Sequence, residues 1–324
     1  MTHTRIKRLK RWLGRSLYHA LSGIIKHLPY TLYLFLARLF FYLGVLVMLP
    51  KRNIALRSLR TALGPEKTKA ELEQIARRYF HNFGRGMIDL IYYMNHTDLV
   101  EKNVQVEGLD HLKEALAEGN GVIMTGGHFG NFLLMYWRVV TLGYKVNVIM
   151  RRVHDTVFEE YISTMRRKLG MRAIYDLPAK KCVVECIKAL RNNEVLFILL
   201  DQNYGSSGRI FVDFFGHPAA TATGPVVFSL RTKAPILPAF CLKDDGELKH
   251  KIIIEKPVQL EMFENENDTV YHNISKITKI IESYVRQYPH EWGGWVHRRW
   301  KSRPQHEQEI IDRLKGRKKS TVIN

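Results

Sequence analysis

GVIMTGGHFGNFLLMYWRVVTLGYKVNVIM, residues 121–150, is the stretch whose reading decides the fold class. An apolar run ends in two glycines, a helical segment follows over about 131–142, and a second short apolar run, VNVIM, occupies 146–150. Short apolar runs bounded by turn residues read as buried strands, and strand, helix, strand in succession reads as a crossover between parallel strands. The alternation continues outward through MRAIY (171–175), VLFILLD (195–201), PILPAF (235–240) and KIIIE (251–255). Helical candidates stand at about 156–169, 180–192, 223–233 and 268–287. The expected fold is therefore α/β, a mostly parallel central sheet flanked by helices. Ahead of it, Gly64-Pro65 marks a turn, and a long amphipathic helix begins with Leu72, Ile75, Ala76, Tyr79 and Phe80 on one face.

The region before this body has a different character. Residues 1–15 carry six Lys/Arg and no acid, and the run Tyr30 to Leu49 holds one charge, Arg38, in about twenty residues. That length just spans a bilayer core. Basic residues lie on both sides of it (Arg5 to Arg15; Lys51, Arg52, Arg57, Arg60), which removes any clear orientation for a single crossing. An apolar helix or hairpin dipping into one leaflet, with its basic flanks on anionic headgroups, suits that symmetry better than a span, a buried core helix or a cleaved signal peptide. The expected organisation is a membrane-associating segment at 1–62, an α/β domain at 63–304 and a polar basic tail at 305–324.

Fifty Lys+Arg against 31 Asp+Glu give a net charge of +19, so an anionic partner is expected: nucleic acid, anionic lipid or an acidic carrier protein. Cys182, Cys186 and Cys241 are odd in number, lack zinc-type spacing and lie among apolar residues, which argues against disulfide or metal frameworks and for a reducing compartment.

Chemistry concentrates after the first strand of the quoted stretch. Gly126, Gly127, His128, Phe129, Gly130 and Asn131 fall at the carboxyl end of a strand and the start of a helix, where open α/β sheets bind ligands. The glycines allow close backbone approach, His128 exchanges a proton near neutral pH, and the N–H groups of Gly130 and Asn131 are candidates to meet an oxyanion.

GGHFGN, MRR (150–152), LLDQNYG (199–205), VDFFG (212–216), ATATGP (220–225) and WVHRRWKSRP (295–304) together resemble the ordered blocks of the late acyltransferases of lipid A biosynthesis, within the lysophospholipid-acyltransferase superfamily. The resemblance implies transfer of a fatty acyl chain from an acyl carrier protein, or another thioester, to a hydroxyl of a lipid A precursor or related glycolipid. It implies a place on the cytoplasmic side of the bacterial inner membrane, and neither an organic cofactor nor a metal. With the apolar N-terminal run it also favours lipid over nucleic acid as the anionic partner.

The resemblance makes His128 the catalytic base. The family's acidic residue, five positions on, is here Leu133. Two readings follow: Asp201, ending the strand VLFILLD, reaches the same rim and serves as the acid, or the chain is a lipid- or carrier-binding pseudoenzyme of the same fold. Arg151 matches a basic residue of the family and Arg152 is its alternative, either suited to a phosphate. Gln202, Asn203, Thr221, Thr223, His297, Arg298 and Arg299 are the further substrate-binding candidates. For Thr221 and Thr223 helix capping is the competing role, and for Gln202 and Asn203 a structural loop.

Overall fold

The computed structural model describes residues 51–304, except 153–155, 206–207 and 245–248, together with residues 16, 28, 29, 32 and 35. The run Tyr30–Leu49 and the tail 305–324 fall outside the described residues, apart from Leu32 and Phe35. Among the described residues no helix is long and apolar enough to cross a membrane.

Residues 51–63 are helical (α1). Lys69–Asn95 (α2) and Asp98–Asn103 (α3) lead into β1 (Val104–Glu107), α4 (Leu109–Ala117), β2 (Val122–Gly126), α5 (Phe132–Thr141), β3 (Val146–Met150), α6 (Thr156–Lys168), β4 (Met171–Tyr175), α7 (Ala179–Arg191) and β5 (Val195–Leu199). Then come β6 (Arg209–Phe214), β7 (His217–Ala222), α8 (Gly224–Thr232), β8 (Ile236–Lys243), β9 (His250–Ile254) and α9 (Glu266–Gln287). A short 3-10 turn, Gly293–Val296, follows α9. α2 starts where its sequence provides a reciprocal cap: the Glu71 N–H donates to the Thr68 hydroxyl, and the Glu71 carboxylate accepts from the Thr68 N–H at 2.7 Å.

Seven strands form the main sheet in the order β1-β9-β8-β2-β5-β3-β4. All neighbours are parallel except β8 and β9, so the expectation of a mostly parallel sheet flanked by helices holds. Period-two alternation sorts the strand side chains between two cores. Ile123, Leu196, Ile198, Ile236 and Phe240 face a core shared with α1, α2, α7, α8 and α9; Val122, Met124, Val195, Phe197, Leu237 and Ala239 face one shared with α4 and α5. Because both faces are covered, β2 is buried at all five positions, which is why its sequence is continuously apolar or small.

Two features depart from the sequence reading. The α/β body includes α1, whose Ala55, Leu56, Leu59 and Leu63 are buried in the first core, so the junction expected at residue 62 lies inside one packed unit. The second is the antiparallel hairpin of β6 and β7. Its turn places Phe215 (φ 57°) and Gly216 (φ 76°) in the left-handed region, the conformation of a type I′ turn, with a phenylalanine where asparagine or aspartate would announce it. Buried Glu282 holds that strained residue by accepting from the Phe215 N–H at 2.9 Å.

Candidate active site

Sheet register brings the central pair of residues together. β2 and β5 are adjacent and parallel, with Gly126 opposite Leu199, and the ladder runs one step further through the Leu200 N–H to the Gly126 carbonyl at 3.0 Å. Two residues beyond that register each chain reaches His128 and Asp201, and strands lie only about 4.8 Å apart. The Asp201 carboxylate accepts from His128 Nδ1 at 2.7 Å with one oxygen, and from the His128 backbone N–H and Trp292 Nε1, both at 2.8 Å, with the other. Gly127 is required for this closeness, since a Cβ there would lie 3.1 Å from Asp201 Oδ2 and 2.9 Å from the Phe129 ring.

Asp201 is fully buried, while the His128 side chain is 23% exposed. Burial alone would raise the Asp201 carboxyl, but the charge of His128 and the bonds from His128 and Trp292 outweigh it and hold the group below the usual carboxylate range. An ionised Asp201 accepts the Nδ1 proton, so Nε2 carries the lone pair, the state a general base needs. Leu133 lies in α5, partly buried against the second core. The acid beside His128 is thus Asp201, delivered by a neighbouring strand.

The segment His290–Gly294, absent from the residues singled out in the sequence, closes the site from behind with Trp295, the first residue of the WVHRRWKSRP block. Phe129 and Trp292 form an isolated antiparallel bridge, the Gly130 N–H donates to the Glu291 carbonyl at 2.9 Å, and the Gly293 N–H donates to the His128 carbonyl at 2.6 Å. Trp-Gly-Gly-Trp was the available signal: Gly293 lets its backbone approach, since a Cβ there would lie 3.0 Å from the His128 carbonyl oxygen. Beneath it, burial pushes the Glu291 carboxyl up to about 7, opposed by a bond from Asn82 and the charge of Lys243.

This clamp removes Gly130 from the oxyanion expectation. The Gly130 N–H is occupied by the Glu291 carbonyl at 2.9 Å. The Asn131 side chain donates to the Gly86 carbonyl at 2.9 Å, fastening the start of α5 to α2. The Gly130 N–H therefore points into the protein.

Several substrate-binding candidates have most of their polar atoms engaged by neighbouring groups. Arg299 is fully buried and donates to the carbonyls of Gln202 (3.0 Å) and Ala220 (2.5 Å) and to the Thr221 hydroxyl (2.5 Å), with its guanidinium 5.3 Å from the Phe214 ring centre. Burial lowers it to about 10, still a cation at neutral pH. Thr221 is equally buried, its hydroxyl donating to Ala219. Asn203 makes a reciprocal pair with Ser302, its amide donating to the hydroxyl at 3.0 Å and accepting from the Ser302 N–H at 2.9 Å. Thr223 precedes α8 without capping it; its hydroxyl donates to the Gly208 carbonyl at 3.0 Å. Arg299 thus staples the Gln202 loop to β7, and Asn203 ties that loop to the C-terminal segment.

The remaining candidates are at least partly exposed. Gln202 is half-buried, with its amide nitrogen 3.1 Å from His128 Nε2, and the exposed His297 has its ring centre 6.2 Å from that of His128. Arg298 is exposed beside it, with φ 50°. Arg151 and Arg152 are exposed just past β3 on the same sheet edge. Arg151 donates twice to Asp176, at 3.0 and 3.1 Å, and Arg152 lies 4.3 Å over the Tyr175 ring. Among the described residues no three His, Cys, Asp or Glu side chains converge as a metal site, and the three cysteines are free and buried.

Comparison with known proteins finds that the profile of the bacterial lipid A biosynthesis acyltransferases matches residues 2–302. The lipid A biosynthesis palmitoleoyltransferase of Escherichia coli (strain K12) is 26% identical over 285 residues, 87% of this chain and 89% of that one. The lipid A biosynthesis lauroyltransferase of the same strain is 24% identical over 91% of this chain and 92% of its own. A phosphatidylinositol mannoside acyltransferase of Mycobacterium tuberculosis (strain CDC 1551 / Oshkosh) is 31% identical over 151 residues, 46% of this chain and 47% of its own.

Proposed function

The chain belongs to the bacterial lipid A biosynthesis acyltransferase family, and from that premise we propose that it transfers a fatty acyl chain from an acyl carrier protein thioester to a hydroxyl of a lipid A precursor or related glycolipid. The contact that carries the reading is His128 Nδ1 to the buried Asp201 carboxylate at 2.7 Å, beside a ring that is partly open to solvent. The acceptor O–H gives its proton to Nε2 as its oxygen attacks the thioester carbon. Asp201 steadies the imidazolium, and collapse of the adduct expels the thiolate, which takes the proton back. The work is placed at the cytoplasmic face of the inner membrane, a reading supported by the basic and apolar residues 1–52. There the exposed cations Arg152 and Arg298 are available to acceptor phosphates, and Arg151 joins them on leaving Asp176.

The test is mass spectrometry of total lipids from cells lacking the protein. One lipid species short of an acyl chain is expected, restored by the wild type and not by His128→Ala. An unchanged lipid profile, or full restoration by His128→Ala, overturns the reading.

The pseudoenzyme alternative rests on Leu133 and makes a separate forecast. If Asp201 already completes the pair, Leu133→Glu brings no gain in turnover and costs about 1–3 kcal/mol by placing a carboxylate against the apolar core. A rise in the acyl-transfer rate of Leu133→Glu, measured beside its thermal melt, would show that His128 lacks an effective acid.

A further inference from the structure

The proposed reaction needs a donor for the oxyanion, and of the two backbone N–H groups expected to serve, that of Gly130 is engaged elsewhere, with the Glu291 carbonyl. Gln202 offers another. Its amide nitrogen lies 3.1 Å from His128 Nε2 and 3.4 Å from Nδ1. An atom nearly equidistant from both ring nitrogens cannot lie in the ring plane without colliding with the carbon between them. The amide therefore stands over the face of the imidazole and leaves the in-plane lone pair of Nε2 clear for the acceptor hydroxyl.

That is the flank on which charge develops. A hydroxyl hydrogen-bonded in plane to Nε2 has its oxygen within about 3 Å of the nitrogen. Attack on the thioester carbon moves the carbonyl π pair onto oxygen, and the new O⁻ lies one bond beyond the reacting carbon. A donor already about 3 Å from Nε2 and off its lone-pair axis reaches that oxygen by side-chain rotation alone.

The backbone of Gln202 is also held. Its carbonyl accepts from the buried Arg299, the residue before it is the triply bonded Asp201, and the residue after it is locked to Ser302. With the backbone fixed on both sides, reorganisation is confined to the side-chain rotation, and small reorganisation is the condition for large electrostatic stabilisation.

We propose that the Gln202 side-chain amide is the oxyanion donor of this site. The proposal rests on the acyl-transfer reading and on His128 as its base.

The experiment compares wild type, His128→Ala, Gln202→Glu and Gln202→Met, using the full-length protein in detergent, an acyl-pantetheine thioester and its dithioester analogue, whose C=S is a poor hydrogen-bond acceptor. Both Gln202 variants are expected to lose about 10²- to 10³-fold in kcat, with KM within about threefold and melting unchanged. Wild type is expected to prefer the oxo over the dithioester donor, and that preference is expected to shrink toward unity in Gln202→Met. Gln202→Glu has nearly the shape of the native residue, so it carries the test if Gln202→Met folds poorly. Inactive His128→Ala beside Gln202 variants of normal kcat overturns this inference and leaves the acyl-transfer reading standing. A loss confined to KM, or an unchanged donor preference, likewise overturns it. An inactive wild type, or a His128→Ala as active as wild type, removes both.

Discussion

Asp201→Asn is expected to lower kcat for acyl transfer by about 10⁴ while leaving a folded protein, the scale seen when the orienting carboxylate of a hydrolase triad becomes an amide. The native carboxylate accepts three hydrogen bonds, from His128 Nδ1, the His128 N–H and Trp292 Nε1. An amide has one accepting oxygen. If that oxygen stays with Trp292 and the backbone N–H, the NH2 group faces Nδ1 and forces the ring into the tautomer whose Nε2 already bears hydrogen. Such a ring cannot take a proton from an alcohol, and no fixed negative charge remains to support an imidazolium. Steady-state rates with a thioester donor and lipid acceptor provide the check, read beside a thermal melt expected to show a loss of about 1–3 kcal/mol for the poorly matched buried amide. Activity within tenfold of wild type would mean that Asp201 only holds the fold.

Arg299→Met is the second large effect, and it falls on stability. The guanidinium is fully buried and donates to Gln202, Ala220 and Thr221, joining three chain segments at one point. A methionine fills much of the space against Phe214 but takes the Arg299 donor from those three acceptors, of which Ala220 keeps the Tyr204 N–H at 3.1 Å, in a setting where each unmet buried group costs about 1–3 kcal/mol. After relaxation a net loss of about 3–5 kcal/mol is expected, a large part of a typical domain's stability. Lysine should recover little, because a single ammonium does not reproduce the planar fork. Urea or thermal unfolding of the two variants against wild type tests this, and losses under 1 kcal/mol would show that the buried cation is dispensable.

Arg299 also shows why chemistry read from residue type alone misplaces a site. In WVHRRWKSRP the two adjacent arginines look equivalent, yet Arg298 is exposed and Arg299 is entirely enclosed. Thr221 and Asn203 fall to the same error: a polar side chain in a motif offers itself to substrate only if no neighbour claims it first. The β6–β7 hairpin stayed hidden because its turn is Phe-Gly, a pair whose conformation depends on the distant Glu282.

The sequence by itself determined the elements and the place of the chemistry. Strand and helix follow from the periodicity of neighbouring residues, and a glycine-flanked histidine after a buried strand puts His128 at the ligand-binding edge of the sheet. It also put Asp201 on that edge, while leaving open whether an acid there would touch the ring. Tertiary structure decided that contact, through the β2–β5 register that sets residues 73 apart at 2.7 Å, and it decided which polar groups are staples and which are free. Local pattern is carried by adjacent residues, whereas register and the pairing of buried donors arise only when distant strands pack, and no single segment encodes them.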